Sequence, residues 1–284
     1  MLGKRNFSLL LLITALVSGG CAAIQPPGTG GPKAGPPYPV VLTAQPERRE
    51  ATALALKRLV QDSGSPDQLA TYLQPVTASI KNLPKSGSSV LLLPKVGTNP
   101  EMSEEETREA LRRFISDWRG LIGANPTHLS LIDRVDQPDG IKLAKYEQRP
   151  FRFPLRGGYG ILEIRFLTNR KLVDLSSTCI PDVERLQSSL ALITPVVTAE
   201  EAVKYVRANN VAYKDLAGTQ QSLHVTSLNE VNAIQLVTYV LASQGQTDLL
   251  ELHLAWEVAV TQAPFKTVYV DALDGKFIDG SATP

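Results

Sequence analysis

The sequence predicts an α+β fold made of two similar helix-plus-antiparallel-sheet units, and three observations carry that expectation. An amphipathic helix opens with the capping box Ser103–Glu106 and is followed by stretches whose apolar residues alternate with a period of two. The same order returns after Thr198 and Glu201, which form a second such box. The turn signals Asp139-Gly140, Asn169-Arg170 and Asp274-Gly275 suit short hairpins rather than the long crossovers of a parallel sheet.

At the amino end, Lys4 and Arg5 precede an apolar run over 7–17, and small Ser18, Gly19 and Gly20 lead into Cys21. That is the layout of a bacterial lipoprotein export signal, residues 1–20, cleaved before a cysteine that is then acylated. The run of about eleven residues is short of the ~20 that a spanning helix needs. The competing reading is ordinary signal cleavage near Ala22, because Ser18 stands where such signals commonly carry Leu. Residues 21–46 are loaded with Pro and Gly and read as a tether, rising ~3 Å per residue where it is polyproline-like. The GTGGPKAG string within it follows no strand and opens no helix, so it does not read as a phosphate loop. The expected location is the bacterial cell envelope, lipid-anchored through Cys21, at the outer membrane or cell surface.

Beyond the tether, 47–62 and 66–82 read as helices, the second interrupted by Pro75, and 88–94 as a short strand; 47–96 forms a helical extension. In the first unit, 97–186, Ala110, Leu111, Phe114, Ile115, Trp118, Leu121 and Ile122 make one apolar helix face, stopped by Gly123, Asn125 and Pro126. Strands are expected at 128–135, 140–148, 159–168 and 171–177; in the third, Leu162, Ile164 and Phe166 face one side and Glu163 and Arg165 the other. In the second unit, 195–284, a helix at 199–210 precedes strands at 222–228, 232–243, 249–261, 265–271 and 276–279.

Composition narrows the function classes. Lys plus Arg number 29 and Asp plus Glu 28; loss of Lys4 and Arg5 with the signal leaves 27 against 28, which gives no electrostatic footprint for nucleic acid. Of the two cysteines, Cys179 is left without a partner once Cys21 is acylated, and it reads as a small buried hydrophobe. His128, His224 and His253 lie far apart without metal-ligand spacing, and no Gly-x-Ser-x-Gly elbow occurs, so no catalytic residue, metal or cofactor is expected. His253 and Glu257 fall on the polar face of one strand, opposite Trp256, as a surface pair.

The stretch 254–279, LAWEVAVTQAPFKTVYVDALDGKFID, resembles the PepSY module through Trp256, Asp271, Ala272, Gly275 and Lys276, and the helix start at 198–202 is typical of it. The first unit resembles the propeptide (FTP) domain found ahead of thermolysin-like and fungalysin-like metallopeptidases, through Tyr146, Gln148, Phe153, Pro154, Leu155 and Gly157 or Gly158. Arg152 stands where that pattern has glycine, and Cys179-Ile180-Pro181-Asp182 resembles the segment joining two such modules. The resemblance covers about 100–284 and implies two tandem cystatin-like modules without the peptidase, whose His-Glu-x-x-His is absent from this sequence. It implies a non-catalytic partner of an exported metallopeptidase, inhibiting it, assisting its folding, or both. The other reading is a structural or sensory lipoprotein that binds another envelope protein or a cell-wall component.

One segment, 145–159 (KYEQRPFRFPLRGGY), interleaves basic and aromatic residues. It reads either as a loop crossing between strands with Phe151 or Phe153 buried, or as a contact surface for a partner's acidic groove through Arg149, Phe151, Arg152, Phe153 and Arg156.

Overall fold

Two sheets, the first antiparallel and the second mostly so, organise the chain, and the fold is α+β. The computed structural model describes residues 37–281 apart from 62–64, 85–90, 100, 216, 218, 227, 244–245 and 262. The leader, Cys21 and the tether as far as residue 36 lie outside the described residues.

The tether ends earlier than its composition predicts. Val40–Thr43 form β1, antiparallel to the twelve-residue strand β10 (Leu249–Val260), with Val40 and Leu42 buried. A two-residue alternation inside a Pro-rich stretch is enough to add a strand when a sheet edge is open beside it. Pro46–Val60 then form α1, with Pro46 at its first turn, where the missing N–H costs nothing. The second expected helix is much shorter. After α2 (Pro66–Leu69) and one 3-10 turn at Ala70–Tyr72, the chain doubles back around Pro75 so that Leu73 bridges Ile80.

The helix begun by Ser103 has its capping box in place: the Ser103 hydroxyl accepts from Glu106 N, and Glu106 accepts from Ser103 N. It divides at Trp118 into α3 (Glu104–Asp117) and α4 (Arg119–Ile122). The first sheet has the order β2-β3-β5-β6: Leu129–Asp136, Ile141–Gln148, Ile161–Leu167 and Leu172–Ser177. Its inner face, Ala144, Tyr146, Leu162, Ile164, Phe166 and Leu175, packs on Leu111, Phe114 and Ile115 of α3, with Leu56 and Leu59 of α1 in the same core. The outer edge of β6 takes hydrogen bonds from the segment before α3, Leu172 N–H donating to Leu91 O and Leu93 N–H to Arg170 O. Of the strand expected at 88–94, 88–90 lie outside the described residues, and Leu92 makes a bridge to Lys171.

Two further elements, like β1, are not among those the sequence predicts. Val183–Ala191 form α5, and Asn210–Lys214 form β7 directly after α6 (Ala199–Ala208), where the sequence reads helix to 210. The second sheet runs β4-β9-β10-β11-β12-β7-β8, with β4 at Leu155–Arg156, β8 at Gln220–His224, β9 at Val231–Ala242, β11 at Thr267–Asp271 and β12 at Phe277–Ser281. β1 and β11 share one edge of β10 end to end: β1 pairs at Leu249–Leu252 and β11 at Ala255–Ala259. The even positions of β10, from Leu250 to Val260, face the main cores, as the alternation predicts. α6 packs Ala202 and Val206 against Val258, Val268 and Val270.

Candidate functional site

The basic and aromatic segment is an arm pinned at three points. Gln148, 1% exposed at the end of β3, donates through Nε2 to Ile180 O and accepts at Oε1 from Ile180 N, both at 2.8 Å. Phe151 is buried and Phe153 half-buried in the core formed by Val40, Leu186, Val240 and Leu252. Leu155–Arg156 then pair in parallel with Thr238–Tyr239, so β4 is a two-residue edge strand of the second sheet delivered by the first unit. Gly157 follows at φ +85, where an added Cβ would run into the Val240 carbonyl oxygen. Only glycine permits that approach.

The geometry of the arm is that of the crossing loop. Phe151 and Phe153 are the crossing loop's core residues, and Arg156 is committed to the interior. Its Nε donates to Glu257 Oε1 at 2.9 Å, while Gln235 Nε2 donates to Glu257 Oε2 at 2.7 Å. Burial pushes the Glu257 carboxyl up, but the Arg156 and Gln235 hydrogen bonds outweigh it and hold the group ionised, below the usual carboxylate range. Arg149 and Arg152 remain exposed: Arg149 pairs with Glu147 at 2.8 Å and the Arg152 guanidinium lies 5.0 Å over the Phe153 ring. Together with Gln148 and Pro154 these residues line an open groove of about 420 Å³. Of the three arginines lining it, Arg156 is paired with Glu257 and Arg149 with Glu147, and Arg152 stacks on Phe153.

A second cluster was not legible as such. His253 and Glu257 do share one face of β10, but they are not a surface pair. Glu257 is 8% exposed, and His253 sits between other carboxylates, Nδ1 2.8 Å from Asp271 Oδ2 and Nε2 3.2 Å from Glu251 Oε2. Asp271 Oδ2 also accepts from the Tyr38 hydroxyl at 2.7 Å, and that hydroxyl accepts from Leu254 N at the seam between β1 and β11. Asp271 Oδ1 takes Leu273 N, closing the turn that leads to Gly275 at φ +73 beneath the Tyr205 ring. Glu251 and His253 were readable as same-face neighbours two residues apart. Asp271 is a diagonal neighbour visible only once the β10–β11 register is known, and Tyr38 carries no local signal.

Burial opposes the charged form of His253, but the Asp271 and Glu251 hydrogen bonds outweigh it and raise the pKa above the ordinary value. A raised folded value means that the protonated ring stabilises the fold. That contribution is complete below about pH 6.5, the unfolded value, and disappears as pH rises through the folded one. The melting temperature is therefore expected to fall on the alkaline side of pH 6.5 in the native chain. In His253→Gln this decline should be absent, as thermal melts between pH 6 and 9 would show.

The remaining chemistry-bearing residues stay apart. Burial pushes the Cys179 thiol up to about 12, which suits a core position and not a nucleophile. His128 lies 3.8 Å from Glu184, and His224 is exposed on β8. Among the described residues no group of three or more His, Cys, Asp or Glu is placed to hold a metal ion. No helix among them is long and apolar enough to cross a membrane. No protein-family model matches the chain, and a search of curated proteins returns no match.

Proposed function

We propose that the chain is a non-catalytic binding lipoprotein: two tandem cystatin-like modules of the FTP and PepSY kinds, held at the cell envelope through Cys21. On this reading it engages an exported metallopeptidase in trans, as inhibitor, folding helper or both. The observation that carries it is the arm at 149–156. Its backbone is fixed by Gln148, Phe151 and β4, while Arg149 and Arg152 stand exposed beside a groove of about 420 Å³. A rigid support for exposed cations lowers the ordering cost of binding, and a surface of this kind suits the acidic rim of a partner's cleft. The support for the modules is the repeated order of helix and antiparallel meander, α3 with β2-β3-β5-β6 and α6 with β9-β10-β11-β12.

The test is to add the full chain to thermolysin-like zinc peptidases of the same cell and to measure peptide cleavage and refolding yield. Reduced cleavage or raised yield is expected. In the double variant Arg149→Glu, Arg152→Glu the effect should weaken at least tenfold, an order of magnitude set by one to two charge-assisted contacts. No effect of the native chain on any of these enzymes would remove the proposal. For the anchor, labelled palmitate should enter the native chain and not Cys21→Ser.

A further inference from the structure

The first sheet is covered at one edge and open at the other. β6 is bonded to the segment 91–93, whereas among the described residues nothing pairs with the outer edge of β2. The hydrogen bonds of the ladder decide which β2 groups face outward. Gln137 N–H donates to Ile141 O, and Gln148 N–H, on the opposite edge of β3, donates to Gly160 O. With the β2–β3 register Val135↔Leu143 and Arg134↔Ala144, this alternation turns the backbone N–H and C=O of Arg134 and Asp136 toward the open edge. A bulge between Leu131 and Asp133 confines regular pairing to the stretch after it.

We propose that this edge pairs with β2 of a second copy of the chain, antiparallel about a dyad at Val135. Charge and shape select that occupant. A dyad at Val135 sets Arg134 opposite Asp136 of the other copy and Asp136 opposite its Arg134, both on the helix side of the sheet. Val135 meets its own symmetry mate on the other face. Each Arg–Asp position is also the outward-bonding one, so side-chain attraction and main-chain hydrogen bonds fall in the same register. A dyad one residue earlier would oppose Arg134 to itself, and one two residues earlier Asp133 to itself. Val135 is 41% exposed, which a free surface does not require of a valine. Within one copy Arg134 lies 3.2 Å from Glu104 and Asp136 3.3 Å from Lys142. Pairing would join two four-stranded sheets into one of eight. Because the paired stretch is short, the association is weak and reversible.

Sedimentation of the full-length chain over a range of concentrations tests this. The native chain is expected to approach twice the monomer mass at high concentration and to dissociate on dilution. Asp136→Arg sets cation against cation and Arg134→Asp sets anion against anion, so each alone should remain at monomer mass. An equimolar mixture of the two variants restores both attractive pairs and should sediment as a dimer. A native chain that is monomeric at every concentration, or a mixture that associates no better than its components, overturns the proposal. Should either charge variant fail to fold by circular dichroism, Val135→Lys decides: it places like charges on the dyad, and a dimer that survives it overturns the proposal equally.

Discussion

Replacing Gln148 by leucine is expected to cost about 3–5 kcal/mol, since it strands two buried backbone groups of Ile180 at about 1–3 kcal/mol each and adds the misfit of a branched side chain. Thermal melts should show a fall of roughly 10 °C. The residue matters beyond its own bonds because Ile180 begins the passage from the first sheet to α5, and its side chain is fully buried in the second unit's core. Gln148→Glu separates the two roles. It keeps the shape and the acceptor facing Ile180 N–H but loses the donor to Ile180 O. A loss as small as that of an exposed substitution in both variants would show that the amide clamp contributes nothing.

Arg156→Met is expected to cost about 2–4 kcal/mol, because it leaves the Glu257 carboxylate buried beside β9 and β11 without its cation. Gln235 and the Tyr269 hydroxyl still donate to that carboxylate, which keeps the loss below that of a fully orphaned charge. Adding Glu257→Met removes the unpaired charge and should recover most of the stability. A double variant no more stable than Arg156→Met would show that the arm's packing, not the ion pair, carries the effect. Chemical denaturation of the four proteins closes this cycle.

The local architecture was legible wherever a period or a cap wrote it. Both capping boxes, the alternation of β10 at Leu252, Leu254, Trp256, Val258 and Val260 and the hairpin at Asp139-Gly140 stand where the sequence puts them. What failed had non-local causes. β1 and β4 are strands of four and two residues that exist because an edge of β10 or β9 receives them, and nothing within four or two residues announces such a partner. The expected helix through 82 stops at Tyr72, ahead of the reversal around Pro75, and beyond that reversal the Ser79 hydroxyl donates to Ser177 O in the first core. At the candidate site the composition of the arm was readable, but the division of labour was not. Arg149 and Arg152 face solvent, while Arg156, of the same type and nearby, is spent on an interior glutamate 101 residues away.

The seam on β10 has a mechanical consequence. Among the described residues, Tyr38 and the β1 ladder are the first fastenings met from the amino-terminal side, so a pull applied at residue 37 is borne first by the Tyr38 hydroxyl and the Val40–Thr43 rungs. The rungs lie across the strand, so a load directed along β1 shears them together instead of unzipping them one at a time. A handle cut at residue 47 would discard this fastening and expose the stretch of β10 from Leu249 to Leu252 as a raw edge.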